Sequence, residues 1–305
     1  MAKALLVTGA TGRQGGSLVN ALLKANTDIE ILALTRNAQS TSARKLQAKS
    51  PNIKLVTGNL DAIDSVFQKA REASKVPIWG VFSVQVAMGN GASAESEERQ
   101  GKALVDAAIK NGVKHFVYSS VDRGGPKSDQ DATNVPHFAS KHRIEQHLFS
   151  KSSVGAMDWT VLRPVAFFEN LQPDFVGKVF ATAWASSLGP DQPLQLIATS
   201  DIGLIAAEAF LKPNEYKGQK ISLAGDELTY TQFKTIFEEK TGQPLPTTFG
   251  FVASAIMMMV KDMRYMFKWF GDVGYGADIP ALRQVHPDLK DFATWLEKDS
   301  SFKTQ

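Results

Sequence analysis

The stretch LLVTGATGRQGGSLVNALL, Leu5 to Leu23, limits the fold more than any other part of the chain. An apolar run enters a loop with glycines at 9, 12, 15 and 16 and leaves it as a helical pattern. The pattern predicts a buried strand over Leu5–Thr8 and a helix over Gly15–Lys24. The next apolar run, Glu30–Thr35, then needs a crossover back to the first, which makes a βαβ unit. Further buried-strand candidates are Ile53–Thr57, Ile78–Ser83, His115–Ser119 and Thr160–Leu162, with helical patterns over 61–73, 95–111 and 138–150. Alternation of this kind implies an α/β chain, a Rossmann doubly wound parallel sheet, because right-handed crossovers put helices on both faces. Beyond about residue 165 the pattern loosens, and a smaller α+β C-terminal lobe is expected there. The expected division is 1–165 for the dinucleotide-binding domain, with sheet strands contributed later in the chain, and 166–305 for a substrate or partner lobe. The final SFKTQ is expected to be loose.

Glycine serves three purposes in Gly9-x-x-Gly12-x-x-Gly15. It allows the tight turn, lets the backbone approach a pyrophosphate, and permits close helix packing. The N-terminus of the following helix offers unpaired N–H groups to phosphate. A merely flexible turn is the alternative, and the strand–loop–helix context favours a dinucleotide cradle. The second strand runs into Thr35-Arg36-Asn37 with no acid at its tip, where an NAD site usually places one to accept from the ribose 2′-hydroxyl. Arginine suits a 2′-phosphate and cannot accept from a hydroxyl, so NADP (NADPH or NADP+) is the expected cofactor, with Arg13 as a second cation. The alternative for Arg36 is a solvated loop cation.

Composition removes several function classes. Lys and Arg number 34 against 31 for Asp and Glu, and the charges are scattered, so no basic footprint points to direct nucleic-acid binding. There is no cysteine, hence no disulfide framework, thiolate metal site or cysteine nucleophile. No run approaches the roughly 20 apolar residues of a membrane span, and an intracellular, cytoplasmic protein is expected. His115, His142, His147 and His286 lack ligand spacing, so packing or surface roles are expected and no metal site is proposed.

VTGATGRQGGSLV, LTRN, the Gln100-Gly101-Lys102 helix start, HFASK, RPVAFFEN and MFKWFGDVGYGADI together resemble the NmrA-like family, atypical members of the short-chain dehydrogenase/reductase superfamily. The resemblance covers nearly the whole chain. It implies a Rossmann domain with a small C-terminal lobe, NADP binding, and kinship with both redox-sensing transcriptional regulators and reductases. Carried over residue by residue, it implies cofactor contacts from the loop residues Gly9, Ala10, Thr11, Gly12, Arg13, Gln14 and Gly15. It implies others from Arg36 and Asn37, from Asn59 and Leu60 near the adenine, and from Ser83, Val84 and Gln85 after the fourth strand. Lys141 and the group Phe167, Phe168, Glu169 and Asn170 complete the set.

The catalytic question turns on His137 to Lys141. Active members of the superfamily have a Tyr four residues before a Lys, on one helix face, and the ammonium lowers the phenol pKa. Here His137 stands at the Tyr position. Ser119 or Ser120 could take the usual serine place. Carbonyl reduction by the Tyr route is therefore not expected. His137 is left either as a proton donor, its ordinary pKa lying near neutrality, or as a helix-start residue with structural or cofactor-edge duties.

The segment Phe251–Phe270 carries apolar residues at helical spacing and several methionines. It reads as one amphipathic helix packed on the Rossmann domain, or as the lining of a cleft or partner surface. The chain is thus expected to be a dinucleotide sensor or regulator with little or no dehydrogenase activity, acting through a regulatory protein partner in cytoplasm or nucleus. The alternative is an NADPH-dependent oxidoreductase for a quinone-like or other small aromatic substrate.

Overall fold

The computed structural model describes residues 3–89, 91–153 and 155–305. The first half alternates strand and helix: β1 Ala4–Val7, α1 Arg13–Lys24, β2 Glu30–Thr35, α2 Thr41–Gln47, β3 Ile53–Thr57, α3 Ile63–Ala73, β4 Ile78–Ser83, α4 Ala94–Lys110, β5 His115–Ser119, α5 Pro136–Ser152 and β6 Asp158–Pro164. There follow β7 Ala166–Phe167, α6 Phe175–Ser187, β8 Leu194–Ile197, α7 Thr199–Leu211, α8 Pro213–Tyr216, β9 Gln219–Leu223 and β10 Asp226–Leu228. Five helices close the chain: α9 Tyr230–Thr241, α10 Gly250–Met259, α11 Lys261–Asp272, α12 Ile279–Val285 and α13 Phe292–Lys298.

Seven strands form one sheet in the order β3-β2-β1-β4-β5-β6-β9, and the pairings from β3 through to β6 are parallel. Strands buried on both faces need no polar alternation, which explains why ALLV and IWGVFS are almost continuously apolar. The order reverses between β1 and β4, so β1 stands at a topological switch point. In open α/β sheets the crevice outside the strands' carboxyl ends at such a point receives ligands. The expected Rossmann sheet is therefore present. Residues 100–102 lie across the second and third turns of α4 rather than at its start, because Ser93 and Ser96 form a capping box that begins the helix at Ala94.

The chain divides into two compact units and passes between them repeatedly. Unit one holds Met1–Ser120, Ser140–Arg163 and Ile202–Ile221; unit two holds Val121–Ala139, Pro164–Asp201 and Ser222–Gln305. The core of unit one is mostly aliphatic, with Leu6, Leu32, Val81, Leu104 and Ile144 fully buried. Unit two has a small mixed sheet, β10-β8-β7, and an aromatic core. In it Phe233 stacks on Phe292 with ring centroids 4.3 Å apart and lies 4.7 Å from Trp184.

Two expectations need correction in unit two. The segment 251–270 is not one helix: it breaks at Val260 into α10, where only Ala253 is buried, and α11, whose Phe267, Trp269 and Phe270 enter the aromatic core. The buried face belongs to the core of unit two itself. The C-terminal residues are docked rather than loose, since the Gln305 N–H donates to the Lys240 carbonyl at 3.0 Å and Phe302 packs edge-on against Phe237. Among the described residues, no helix is long and apolar enough to cross a membrane.

Candidate functional site

In unit one, the loop from β1 to α1 is shaped by its glycines. Gly9 has φ +59°, the left-handed region, and its carbonyl accepts from the Gly12 N–H at 2.8 Å. A Cβ on Gly15 would stand 2.7 Å from the Thr8 carbonyl oxygen, so the helix can approach the loop this closely only without a side chain. Thr8 locks the loop to the end of β4: its hydroxyl donates to the Val84 carbonyl at 2.9 Å and accepts from the Val84 N–H at 2.8 Å. Thr11, Gly12 and Arg13 are exposed at the start of α1, Ala10 is buried, and no side chain caps the helix. The first turn contains no acid, so its N–H groups and positive dipole end face the loop unneutralised. Gln14, on the same turn, accepts from the Ser119 hydroxyl, which ties the loop to the end of β5.

Arg36 and Asn37 follow β2 and are exposed. The Asn37 carboxamide oxygen accepts from the Gln39 N–H at 2.8 Å, an Asx turn that fixes the chain just beyond the arginine. Neither Arg13 nor Arg36 makes an ion pair with another described residue. After β3, Asn59 caps the short turn Leu60–Ala62. That turn is held by Asp61, which accepts from Gln100 at 3.0 Å and Arg99 at 2.8 Å; the Gln100 hydrogen bond and then the Arg99 contact hold its carboxyl below the usual range. After β4, buried Gln85 donates to Ser83 at 2.9 Å, and its own carboxamide oxygen is buried without a hydrogen-bond partner. All these residues lie at the carboxyl ends of parallel strands and hence along one edge of the sheet.

Lys141 belongs to the same unit. Its ammonium lies 2.8 Å from a carboxylate oxygen of Glu97 on α4, and 6.0 Å from the centre of the Tyr118 ring on β5. Glu97 also accepts from Ser140 and is fully buried.

The remaining candidates lie in unit two. His137, in the first turn of α5, is buried and its Nδ1 lies 2.6 Å from Asp262 on α11; the backbone N–H of His137 reaches the same oxygen at 3.3 Å. Burial pushes the Asp262 carboxyl up, but the hydrogen bond and charge of His137 outweigh it and leave the group below its ordinary value. Phe167 is half-buried in β7, and Asn170 ends the short turn that follows. Phe168 is fully buried, packed on Phe292 and Trp295, so its ring is committed to the core. One Glu169 oxygen accepts from the Thr199 backbone at 2.9 Å, the Thr199 hydroxyl at 2.7 Å and the Trp295 indole at 3.3 Å. The Phe168 ring is thereby occupied, whereas the second Glu169 carboxylate oxygen is buried without a hydrogen-bond partner.

The sequence reading missed Glu97 and Asp262, the partners of Lys141 and His137. It also missed Asp122, whose carboxylate accepts from the N–H groups of Gly124 and Gly276 and from the Ser222 hydroxyl. All three are single acids without a local motif. Of the histidines, His115 is a packing residue on β5, between Trp79 and Phe210, and His147 bonds Asp106 on α4.

The glycine loop, the sheet order and the small aromatic-cored unit have a counterpart among known proteins. The family model of the NmrA-like family matches residues 1–297. This chain belongs to the NmrA-like family. An NmrA-like domain-containing oxidoreductase of Aspergillus flavus is 30% identical over 292 residues, 87% of this chain and 82% of that protein. Among solved structures, NmrA, described as a negative transcriptional regulator in complex with NADP, superposes with a TM-score of 0.69 at 19% identity, covering 98% of this chain and 95% of NmrA. An NADPH-dependent quinone oxidoreductase of Escherichia coli superposes at 0.71 with 18% identity, covering 96% and 98%. At these identities the likenesses establish the NmrA-like fold, with its parallel sheet and smaller lobe, and leave chemistry to the residues.

Proposed function

We propose that this NmrA-like chain binds NADP(H) and works as a dinucleotide sensor or regulator with little or no dehydrogenase activity. The observation that carries the reading is the pairing of an intact glycine cradle with a histidine, tied to Asp262, where a catalytic tyrosine would stand. The cradle fits a pyrophosphate: a side chain at Gly12 or Gly15 would fill the approach, the α1 N–H groups are uncapped, and the buried Gln85 oxygen still lacks a donor. Arg36 and Arg13 are exposed cations without acidic partners, which favours the 2′-phosphate of NADP over the bare hydroxyl of NAD. When bound, the dihydronicotinamide supplies a hydride. The chain's own part is to hold the phosphates on the loop, keep Lys141 in place through Glu97, and hold the His137 ring by its Nδ1 side. With no phenol at position 137, the proton that ketone reduction needs has no tyrosine donor.

The solved NmrA, a regulator found with NADP, supports the sensor reading. That reading calls for a regulatory protein partner and for work in the cytoplasm and, through the partner, the nucleus. The quinone oxidoreductase supports a second reading, reduction of a quinone-like or other aromatic acceptor. One experiment separates the two: NADPH is bound to the protein and its 340 nm absorbance followed as ketones, quinones and aromatic dyes are added. The sensor reading expects only trace oxidation throughout; rapid oxidation by an aromatic acceptor establishes the second. Rapid turnover of a carbonyl that His137→Ala abolishes, at unchanged NADPH affinity, makes His137 a proton donor and overturns the sensor.

A further inference from the structure

Glu97 places a carboxylate at complete burial in the first turn of α4. The α4–α5 seam is close by design of sequence: a Cβ on Gly101 would stand 2.8 Å from Cγ1 of Ile144. One turn earlier on each helix, the same approach brings Glu97 against Ser140 and Lys141. The two next partners along the seam, Glu98 with Arg143 and Asp106 with His147, lie on its exposed side. Exposed ion pairs of this kind contribute little to holding two helices together. A fully buried carboxylate is costly unless its partner is fixed, and here the partner is Lys141, beside β5.

The sheet order gives that lysine its place. With the pyrophosphate loop at β1, Arg36 and Asn59 stand on the β2–β3 side, which receives the adenosine half of a dinucleotide. The β4–β5 side receives the other half, the nicotinamide. Lys141 sits over Tyr118 of β5, next to the Ser119 that bonds Gln14 of the loop. Oxidised nicotinamide carries a positive charge and reduced nicotinamide carries none. An unpaired ammonium there would oppose the oxidised ring and leave the reduced ring unaffected.

We propose that Glu97 is a positioning residue that sets the balance between oxidised and reduced cofactor, by cancelling the charge of Lys141 at the nicotinamide end while holding its ammonium in place. The inference rests on the dinucleotide reading of the glycine loop. Like charges within about 10 Å, at the effective dielectric of a partly buried site, change an equilibrium by tenfold or more.

The test is the ratio of dissociation constants for NADP+ and NADPH, measured by calorimetry. The unmodified protein should bind the two within about threefold of each other. Glu97→Gln should shift the ratio toward NADPH by about tenfold or more, and adding Lys141→Met to that variant should bring it back. A structural role alone would weaken both forms alike and leave the ratio where it was. Equal weakening by Glu97→Gln, or a tenfold preference for NADPH in the unmodified protein, overturns the proposal. Should Glu97→Gln not fold, Lys141→Met alone should shift the ratio toward NADP+, since the uncancelled Glu97 carboxylate favours the oxidised ring, and an unmoved ratio overturns the proposal. A protein that binds neither form overturns the dinucleotide reading as well, so the two failures are told apart.

Discussion

A single arginine decides cofactor choice on this reading. Losing a charge-assisted contact costs about 1.5 to 3 kcal/mol, so Arg36→Ala should weaken NADP about tenfold or more and leave NAD nearly unchanged in calorimetric titration. Equal loss for both cofactors removes Arg36 from the phosphate. A second residue links the fold to pH. Burial pushes the His115 imidazole down from 6.5 to about 4, with the charge of Asp158 opposing the shift. The Thr160 hydroxyl donates to the Tyr216 carbonyl, so the His115 Nε2–H donates to that hydroxyl at 2.9 Å, while Nδ1 is buried without a hydrogen-bond partner and has no acceptor for a second proton. The unfolded chain takes up a proton near 6.5 while the folded one does not. This contribution to stability is therefore complete above 6.5 and lost as pH falls toward 4, by roughly 3 kcal/mol. Urea unfolding at pH 7.5 and 4.5 should show the loss, and His115→Leu should flatten it; an unchanged slope in that variant would assign the acid sensitivity elsewhere. The glycine loop is legible in sequence because every contact that shapes it lies within a few residues or at the next strand end. The partners of His137 and Lys141 are not legible, since one is separated by 125 residues and neither sits in a motif.

At the scale of elements, the two halves of the methionine-rich segment should behave differently. Phe249 and Phe251 are each 73% exposed and Met259 is 85% exposed, whereas α11 is pinned by Phe267, Trp269 and Phe270. Hydrogen exchange should run faster in α10 than in α11 by about tenfold or more, as expected where few apolar contacts oppose opening. Equal protection would mean that α10 is covered in solution. Periodicity reads 251–270 as one helix because the apolar spacing continues across the break; the turn at Val260 (φ −101°, ψ 89°) involves neither proline nor glycine and so leaves no signal in the sequence. The strands of the first half are legible almost to the residue, because burial on both faces leaves an uninterrupted apolar run. Mutating the glycine loop tests the site at the same scale. A Cβ at Gly12 would lie 3.2 Å from the Gly9 carbonyl oxygen, tight but tolerable, whereas one at Gly15 would strike the loop backbone. Gly12→Val should therefore keep the fold, seen by circular dichroism, and abolish dinucleotide binding; binding retained in the folded variant removes the cradle.

For the whole molecule, the sequence pattern separates a regular first half from a looser second half, but it does not reveal how late segments complete the first unit. Phe210 of α7 packs where a Cβ on Gly80 of β4 would come within 2.9 Å of its ring, and Tyr216 takes the hydrogen bond of Thr160 on β6. A fragment of residues 1–165 lacks both. It should be far less stable than the full chain, with a broad, weakly cooperative melt, and a sharp native-like transition in that fragment would show that the late segments are dispensable. The same passage of the chain between units has an evolutionary consequence. Unit two is composed of three separate stretches, Val121–Ala139, Pro164–Asp201 and Ser222–Gln305, so no single recombination event can exchange it as a cassette. Chimeras with a relative joined at one crossover should therefore be poorer folders than point-substituted hybrids carrying as many changes.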